Sequence, residues 1–355
     1  MLEKPNLSDE LLIACLQHDY GLLIVQVDFL PLGNDLNTAV YRVVADDARP
    51  YFLKLRSGAF DEITVAIPRL LSDQGMAQII APIATSAGQL WARVDTFAVI
   101  LFPFVAGRNG FEVEVSDRQR VELGAALKRI HTLAVPEALR QGLPREAYAP
   151  YWRDLVRSFQ ARAEDTAFAE PVAAQLAALL RDKRAVIDDL IQRAEQHASL
   201  LQTRSLEYVV CHADIHAANL LIDSNAALYI VDWDTLILAP KERDLMFVGA
   251  GIDDVWRSAR EHALFYQGYG EAEIDPIALA YYRYERIVED IAAYCQQLLL
   301  TDQGGKDREE GLRQLASQFL PGNVIEVAYA SDKPAPANNF TRDRAAMPPG
   351  PSHSQ

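Results

Sequence analysis

Three polar residues in the second half of the chain have the types and spacing to act together. Asp214 lies in a loop after an apolar run at 209–211, and Asn219 lies five positions further along, just before a second apolar run at 220–222. Asp232 closes a third apolar run, 228–231, after a short turn. A carboxylate that can take a hydroxyl proton, with an amide and a second carboxylate that can hold magnesium, is the set that phosphoryl transfer from ATP requires. Magnesium prefers hard oxygen ligands and keeps several waters, so two protein ligands suffice. A rival reading takes His212-x-Asp214-x-His216 as zinc ligands, because alternate residues of an extended segment point to one side. The other histidines, His18, His131, His197, His262 and His353, are scattered and lack a partnering motif. That reading also leaves Asn219 and Asp232 without a role. A non-catalytic nucleotide-binding module typically loses one of the three polar residues, and this chain keeps all three.

The elements that must position this set can be traced in chain order. Residues 7–20 read as an amphipathic helix with Ser8 as its N-cap and Gly21 as its stop. Three β-rich runs follow at 22–30, 38–44 and 51–55, separated by Pro31, Gly33, Asn34 and Asp35 and then by Asp46, Asp47 and Pro50. Residues 78–83 and 97–102 read as two more strands, completing a five-stranded sheet. Between them, Pro68 interrupts the run 62–71, so a helix there either kinks or starts near Ile67 and leaves Glu62 on a loop. From Ser116 the period becomes helical. Ser116-x-x-Gln119 is a capping-box start, and Val121, Leu123, Leu127 and Ile130 form a stripe ending at His131, read as structural. Residues 148–162, 171–181 and 185–200 read as further helices, 239–247 opens another, and 278–300 is a long one rich in aromatic and acidic residues. Residues 331–355 are rich in Pro, Ala, Asn and Ser and are expected to be disordered.

Strand, loop, strand, turn and strand with a lysine, Lys54, in the third, followed by the 209–234 pattern, resembles the aminoglycoside phosphotransferase family. The resemblance implies an α+β, two-lobed protein-kinase-like fold. A small β-rich N-lobe would occupy residues 1–104 and a larger helical C-lobe residues 105–330, with the tail at 331–355. It implies that Lys54 binds the α- and β-phosphates of ATP and pairs with an acid of the following helix, Glu62 being the nearest. Gly33 and Asn34 would lie over the phosphates in the loop 33–38, although this loop has one glycine where protein kinases have three. The segment 101–107 would be the hinge, its backbone near Phe104 reading the adenine edge. Asp214 would be the general base, Asn219 and Asp232 the magnesium ligands, His212 a loop anchor and Asp244 a brace beneath the loop. The segments 211–219, 240–247 and 282–291 resemble the spectinomycin-phosphorylating branch in particular, and the resemblance runs over about residues 1–330.

The chain has 355 residues, half of them apolar, and a formal charge of −15. That charge disfavours nucleic acid and anionic membranes and suits a cationic small molecule. Glu285, Glu289 and Asp290 crowd the 278–300 helix and, with Asp234, are expected to face an aminocyclitol or amino-sugar. Arg283 and Arg286 on the same helix keep a sugar phosphate open as the acceptor. The expected reaction is ATP- and magnesium-dependent phosphorylation of an aminocyclitol hydroxyl, as on spectinomycin. Choline, homoserine and methylthioribose are the alternative acceptors. No apolar run reaches the roughly 18–20 residues that span a bilayer, and the start carries acids and a proline in place of a secretory signal. Cys15, Cys211 and Cys295 form no ligand or disulfide pattern, which fits a reducing cytoplasm. A cytoplasmic monomer is expected.

Overall fold

The computed structural model describes residues 4–33, 37–249, 258–301 and 305–332, Lys306 by its backbone alone. Helix α1 (Asp9–Tyr20) begins where Ser8 Oγ accepts the Leu11 amide and ends at Gly21, whose φ of 68° suits glycine. Strands β1 (Ile24–Leu30), β2 (Thr38–Ala45), β3 (Pro50–Ser57), β4 (Ala92–Val94) and β5 (Phe97–Pro103) form one antiparallel sheet in the order β1-β2-β3-β5-β4. Between β3 and β4 lies α2 (Ile63–Asp73). Leu12 and Leu16 of α1 pack on Tyr41, Val43, Leu53, Leu55 and Leu101 of the sheet, making the core of the smaller lobe.

Two expectations change here. The fifth strand is β4 and not 78–83. Pro82 has no N–H to give a ladder, and Ile79 instead bridges to Ile230 and is buried in the other lobe's core. Helix α2 neither waits until Ile67 nor avoids its proline: it starts at Ile63 and carries Pro68 inside, which leaves the Thr64 carbonyl without its helical donor.

Beyond β5 the chain enters the larger lobe. Its elements are β6 (Gly107–Asn109), α3 (Asp117–His131), α4 (Glu137–Arg140), α5 (Tyr151–Asp165), α6 (Pro171–Asp182), α7 (Arg184–Gln202), β7 (Val209–Cys211), β8 (Leu220–Asp223), β9 (Leu228–Ile230), β10 (Ile237–Ala239), α8 (Glu242–Leu245), α9 (Ala259–Tyr269), α10 (Pro276–Leu299), α11 (Gly305–Ser317) and α12 (Val324–Ser331). Two small antiparallel sheets, β6-β8-β9 and β10-β7, carry the 209–234 segment. The capping box of Ser116 and Gln119 starts α3. Helix α10 runs through the lobe against α5, α7, α8 and α12. Helices α3 and α9 cross at two glycines. A Cβ on Gly124 would lie 2.1 Å from the Phe265 carbonyl oxygen, and one on Gly268 would lie 1.8 Å from that of Val121.

The ordered structure extends past the expected boundary at 330. Ser331 Oγ accepts Arg283 Nη1 at 2.7 Å. Asp332 accepts Arg193 Nη1 at 2.7 Å, the Tyr284 hydroxyl at 2.6 Å and pairs with His197 Nε2 at 2.7 Å. The expected disorder of the remaining tail concerns residues outside those described. A chain ending at Asp332 should melt with the full-length protein and keep its activity. One ending at Ala330 removes the Asp332 carboxylate and should lose about 1–3 kcal/mol, or several degrees in a thermal scan. Equal midpoints for the two truncations would remove any role for the network.

Candidate active site

The loop between β7 and β8 is held from beneath. Asp244, fully buried at α8, accepts the His212 amide on Oδ2 at 3.0 Å and the Ala213 amide on Oδ1 at 2.6 Å. His131 Nε2 donates to the same Oδ2 at 2.9 Å, and the Tyr269 hydroxyl meets His131 Nδ1 at 2.7 Å. Ala213 has a φ of 67°, a left-handed conformation that costs a non-glycine residue roughly 1–2 kcal/mol. The two charge-assisted bonds to Asp244 offset that strain. His212 Nδ1 accepts the Asp214 amide at 3.3 Å, so its proton is on Nε2, which donates to the Val231 carbonyl at 3.0 Å. Both ring nitrogens are engaged, which removes His212 from any zinc site.

Asp214 is surrounded by donors. Arg286 Nη1 lies 2.6 Å from Oδ1, and Asn219 Nδ2 lies 3.1 Å from Oδ2 and 2.7 Å from the Asp214 carbonyl. His216 Nε2 lies 3.3 Å from Oδ2, and its Nδ1 accepts the Ala218 amide at 3.2 Å. Burial alone would raise this carboxyl. The His216 contact and the charge of Arg286 outweigh it and hold Asp214 far below the usual carboxylate range. Phe111 stacks on His216 at 6.2 Å, and Arg286 lies 5.7 Å from the centre of the Phe247 ring.

Across the cleft, Lys54 on β3 reaches Asp232 Oδ1 at 3.1 Å and Asp234 Oδ2 at 2.8 Å. Burial disfavours the ammonium, but the two carboxylates prevail and push its pKa up. Arg56, two residues along the same face of β3, donates to Asp234 Oδ2 at 2.8 Å and to Thr38 Oγ1 at 3.0 Å. Asp232 itself has a φ of 62°. Its half-exposed carboxylate and the Asn219 Oδ1, both hard oxygens, fit a magnesium ion.

Several expected site residues sit differently. Glu62, exposed at the N-cap of α2, is not among the described partners of Lys54, whose charge is met by Asp232 and Asp234. Asp234 serves two cations and is no free acid for a substrate. Gly33 takes a φ of 84°, and Asn34 lies outside the described residues. Phe104, half-buried between β5 and β6, has the Arg42 guanidinium 5.6 Å from its ring centre.

The acids of α10 are each met by an arginine. Glu285 is buried 3.3 Å from Arg153, and burial raises its carboxyl to about 7 against the pull of that arginine. Glu289 is 3.6 Å from Arg243. Asp290 accepts Arg286 Nε at 2.9 Å and Gln318 Nε2 at 3.1 Å. Arg283 is turned inward, donating to the Met246 and Val248 carbonyls and to Ser331. The expected wall of free carboxylates is therefore a row of ion pairs. Arg56 and Arg286 are the site residues whose role sequence reasoning missed. The alternation Lys54-x-Arg56 was a visible signal for the first. Nothing local linked Arg286 to Asp214.

Two lobes joined beside such a cleft, with a strand lysine reaching the acids of a facing hairpin and a braced Asp–Asn loop next to them, define an enzyme, a phosphotransferase of the kinase class. The chain belongs to the phosphotransferase enzyme family, the aminoglycoside phosphotransferases, whose family model matches residues 28–282. It is similar to spectinomycin phosphotransferase APH(9)-Ia, solved in complex with ADP and spectinomycin, with 39% identity, 92% of this chain and 99% of that one covered, and a TM-score of 0.85. Protein StrN of Streptomyces griseus is 26% identical over 252 residues, 68% of this chain and 75% of that protein. An aminoglycoside phosphotransferase from Alicyclobacillus acidocaldarius shares the fold at 16% identity, with a TM-score of 0.60 and 93% of this chain and 96% of that one covered. Among the described residues, no helix is long and apolar enough to cross a membrane.

Proposed function

We propose that the protein transfers the γ-phosphoryl group of ATP to a hydroxyl of a small cationic aminocyclitol, spectinomycin or a close relative. The observation that carries this is the likeness over 92% of the chain to an enzyme solved with ADP and spectinomycin. On this reading Lys54 exchanges its aspartates for nucleotide phosphates, with Gly33 in the covering loop and the backbone near Phe104 at the adenine. Asn219 and Asp232 would hold magnesium, which supplies charge neutralisation at the phosphates when bound. Asp214 hydrogen-bonds the acceptor hydroxyl. So weakly basic a carboxylate takes the proton late, once the hydroxyl oxygen is bonding to phosphorus and has become acidic. Of the α10 acids, Glu289 has the longest arginine contact, so we assign it to a substrate ammonium group.

The protein acts as a monomer in the cytoplasm on this reading, and its three free, buried cysteines suit a reducing compartment. The test is an ATP-consumption assay of purified protein with spectinomycin, streptomycin, kanamycin, choline, homoserine and methylthioribose, with mass spectrometry of the products. Spectinomycin should gain one phosphoryl group, with no phosphorylated enzyme. Turnover of choline or a sugar with spectinomycin untouched would overturn the substrate and keep the kinase.

A further inference from the structure

A carboxylate offers about four lone-pair positions. On Asp214, Oδ2 faces two donors, Asn219 Nδ2 at 3.1 Å and His216 Nε2 at 3.3 Å. Oδ1 has one described donor, Arg286 Nη1 at 2.6 Å. The open position is therefore on Oδ1, beside the guanidinium. Arg286 is itself fixed, because its Nε donates to Asp290 Oδ1 at 2.9 Å and Asp290 Oδ2 accepts Gln318 Nε2 at 3.1 Å. A chain of contacts thus runs from α11 through α10 to the loop.

We propose that Arg286 is a positioning residue for the acceptor: it turns Asp214 so that the hydroxyl docks on Oδ1, next to the guanidinium. This rests on the reading of Asp214 as the base. Removing the guanidinium leaves Oδ1 without its described donor while Asn219 and His216 still hold Oδ2, so the carboxylate can turn about Oδ2 and the hydroxyl loses its fixed approach.

The experiment compares Arg286→Gln, Arg286→Lys, the charge-balanced double variant Arg286→Gln with Asp290→Asn, and Asp214→Asn. The double variant avoids leaving Asp290 unpaired, and ADP binding with thermal midpoints reports folding. Kinetics use ATP with spectinomycin or, if that is not turned over, the acceptor found in the assay above. Arg286→Gln and the double variant should lower kcat about 10²-fold, with ADP affinity kept. Their KM for the acceptor should stay within a few-fold, because the loss falls on the transition state and not on binding. The lysine variant, which keeps a cation beside Oδ1, should recover part of kcat. Wild-type or raised kcat in Arg286→Gln, or a raised acceptor KM with kcat kept, overturns the proposal while Asp214 stands. Turnover by Asp214→Asn overturns both.

Discussion

Asp214→Asn should lower turnover by about 10²–10⁴-fold while ADP still binds. The amide keeps the shape of the carboxylate but cannot take the hydroxyl proton, and one of its ends now presents donors where Arg286, Asn219 and His216 already donate. The N-lobe contacts lie elsewhere, since Lys54 is held by Asp232 and Asp234. Nucleotide affinity, measured by calorimetry with ADP, should therefore stay within a few-fold of wild type. Asp232→Ala provides the contrast. It removes both a partner of Lys54 and the carboxylate offered to magnesium, so magnesium-dependent nucleotide binding should fail in that variant. Wild-type turnover in Asp214→Asn would remove Asp214 from the mechanism. Loss of ADP binding together with turnover would mean that its role is structural.

Gly268→Ala should destabilise the protein by about 1–3 kcal/mol or more. Helix propensity pulls the other way, because alanine is favoured over glycine in a helix by about 1 kcal/mol. The clash decides the sign. The new methyl would lie 1.8 Å from the Val121 carbonyl oxygen and 2.7 Å from its carbon, and these atoms belong to a helix backbone that cannot swing aside. Gly124→Ala meets the Phe265 carbonyl oxygen at 2.1 Å and should behave alike. At roughly 2–4 °C per kcal/mol for large domains, the thermal midpoint should fall by about 2–12 °C. Gly142→Ala is the control. Its methyl would meet nothing nearer than 3.6 Å, so its midpoint should barely move. Equal midpoints for Gly268→Ala and Gly142→Ala would show that α3 and α9 can separate at no cost.

Local chemistry was the legible part of this chain. The Ser8 cap, the Ser116–Gln119 box and the Asp214, Asn219 and Asp232 set depend on neighbours a few residues away, so spacing alone exposes them. Ser258 and Glu261 form the same kind of box at the start of α9, and that signal was present but passed over. Segment 78–83 misled because its isoleucines have strand composition, while Pro82 and the burial of Ile79 in the other lobe decide its conformation. Three-residue strands such as β4 and β6 are too short to show a period. Charge pairing was the least legible. Lys54 meets its aspartates across 178 and 180 residues, and Arg286 reaches Asp214 across 72. From sequence, an acid on α10 is simply an acid. Only the packing of α5 and α8 against that helix brings Arg153 and Arg243 to Glu285 and Glu289.

The Asp244 brace also sets how slowly the loop can open. Its carboxylate receives the amide protons of His212 and Ala213, and His131 ties the same oxygen to α3, with Tyr269 of α9 behind it. Water can reach those two amides only when three elements come apart together. Surface loops commonly exchange their amide hydrogens through local fluctuations, whereas core helices wait for global unfolding. The amides of 212 and 213 belong with the core in this protein. In deuterium oxide they should be retained as long as that of Ile130 in α3, so the loop nearest the chemistry is also among the last to exchange.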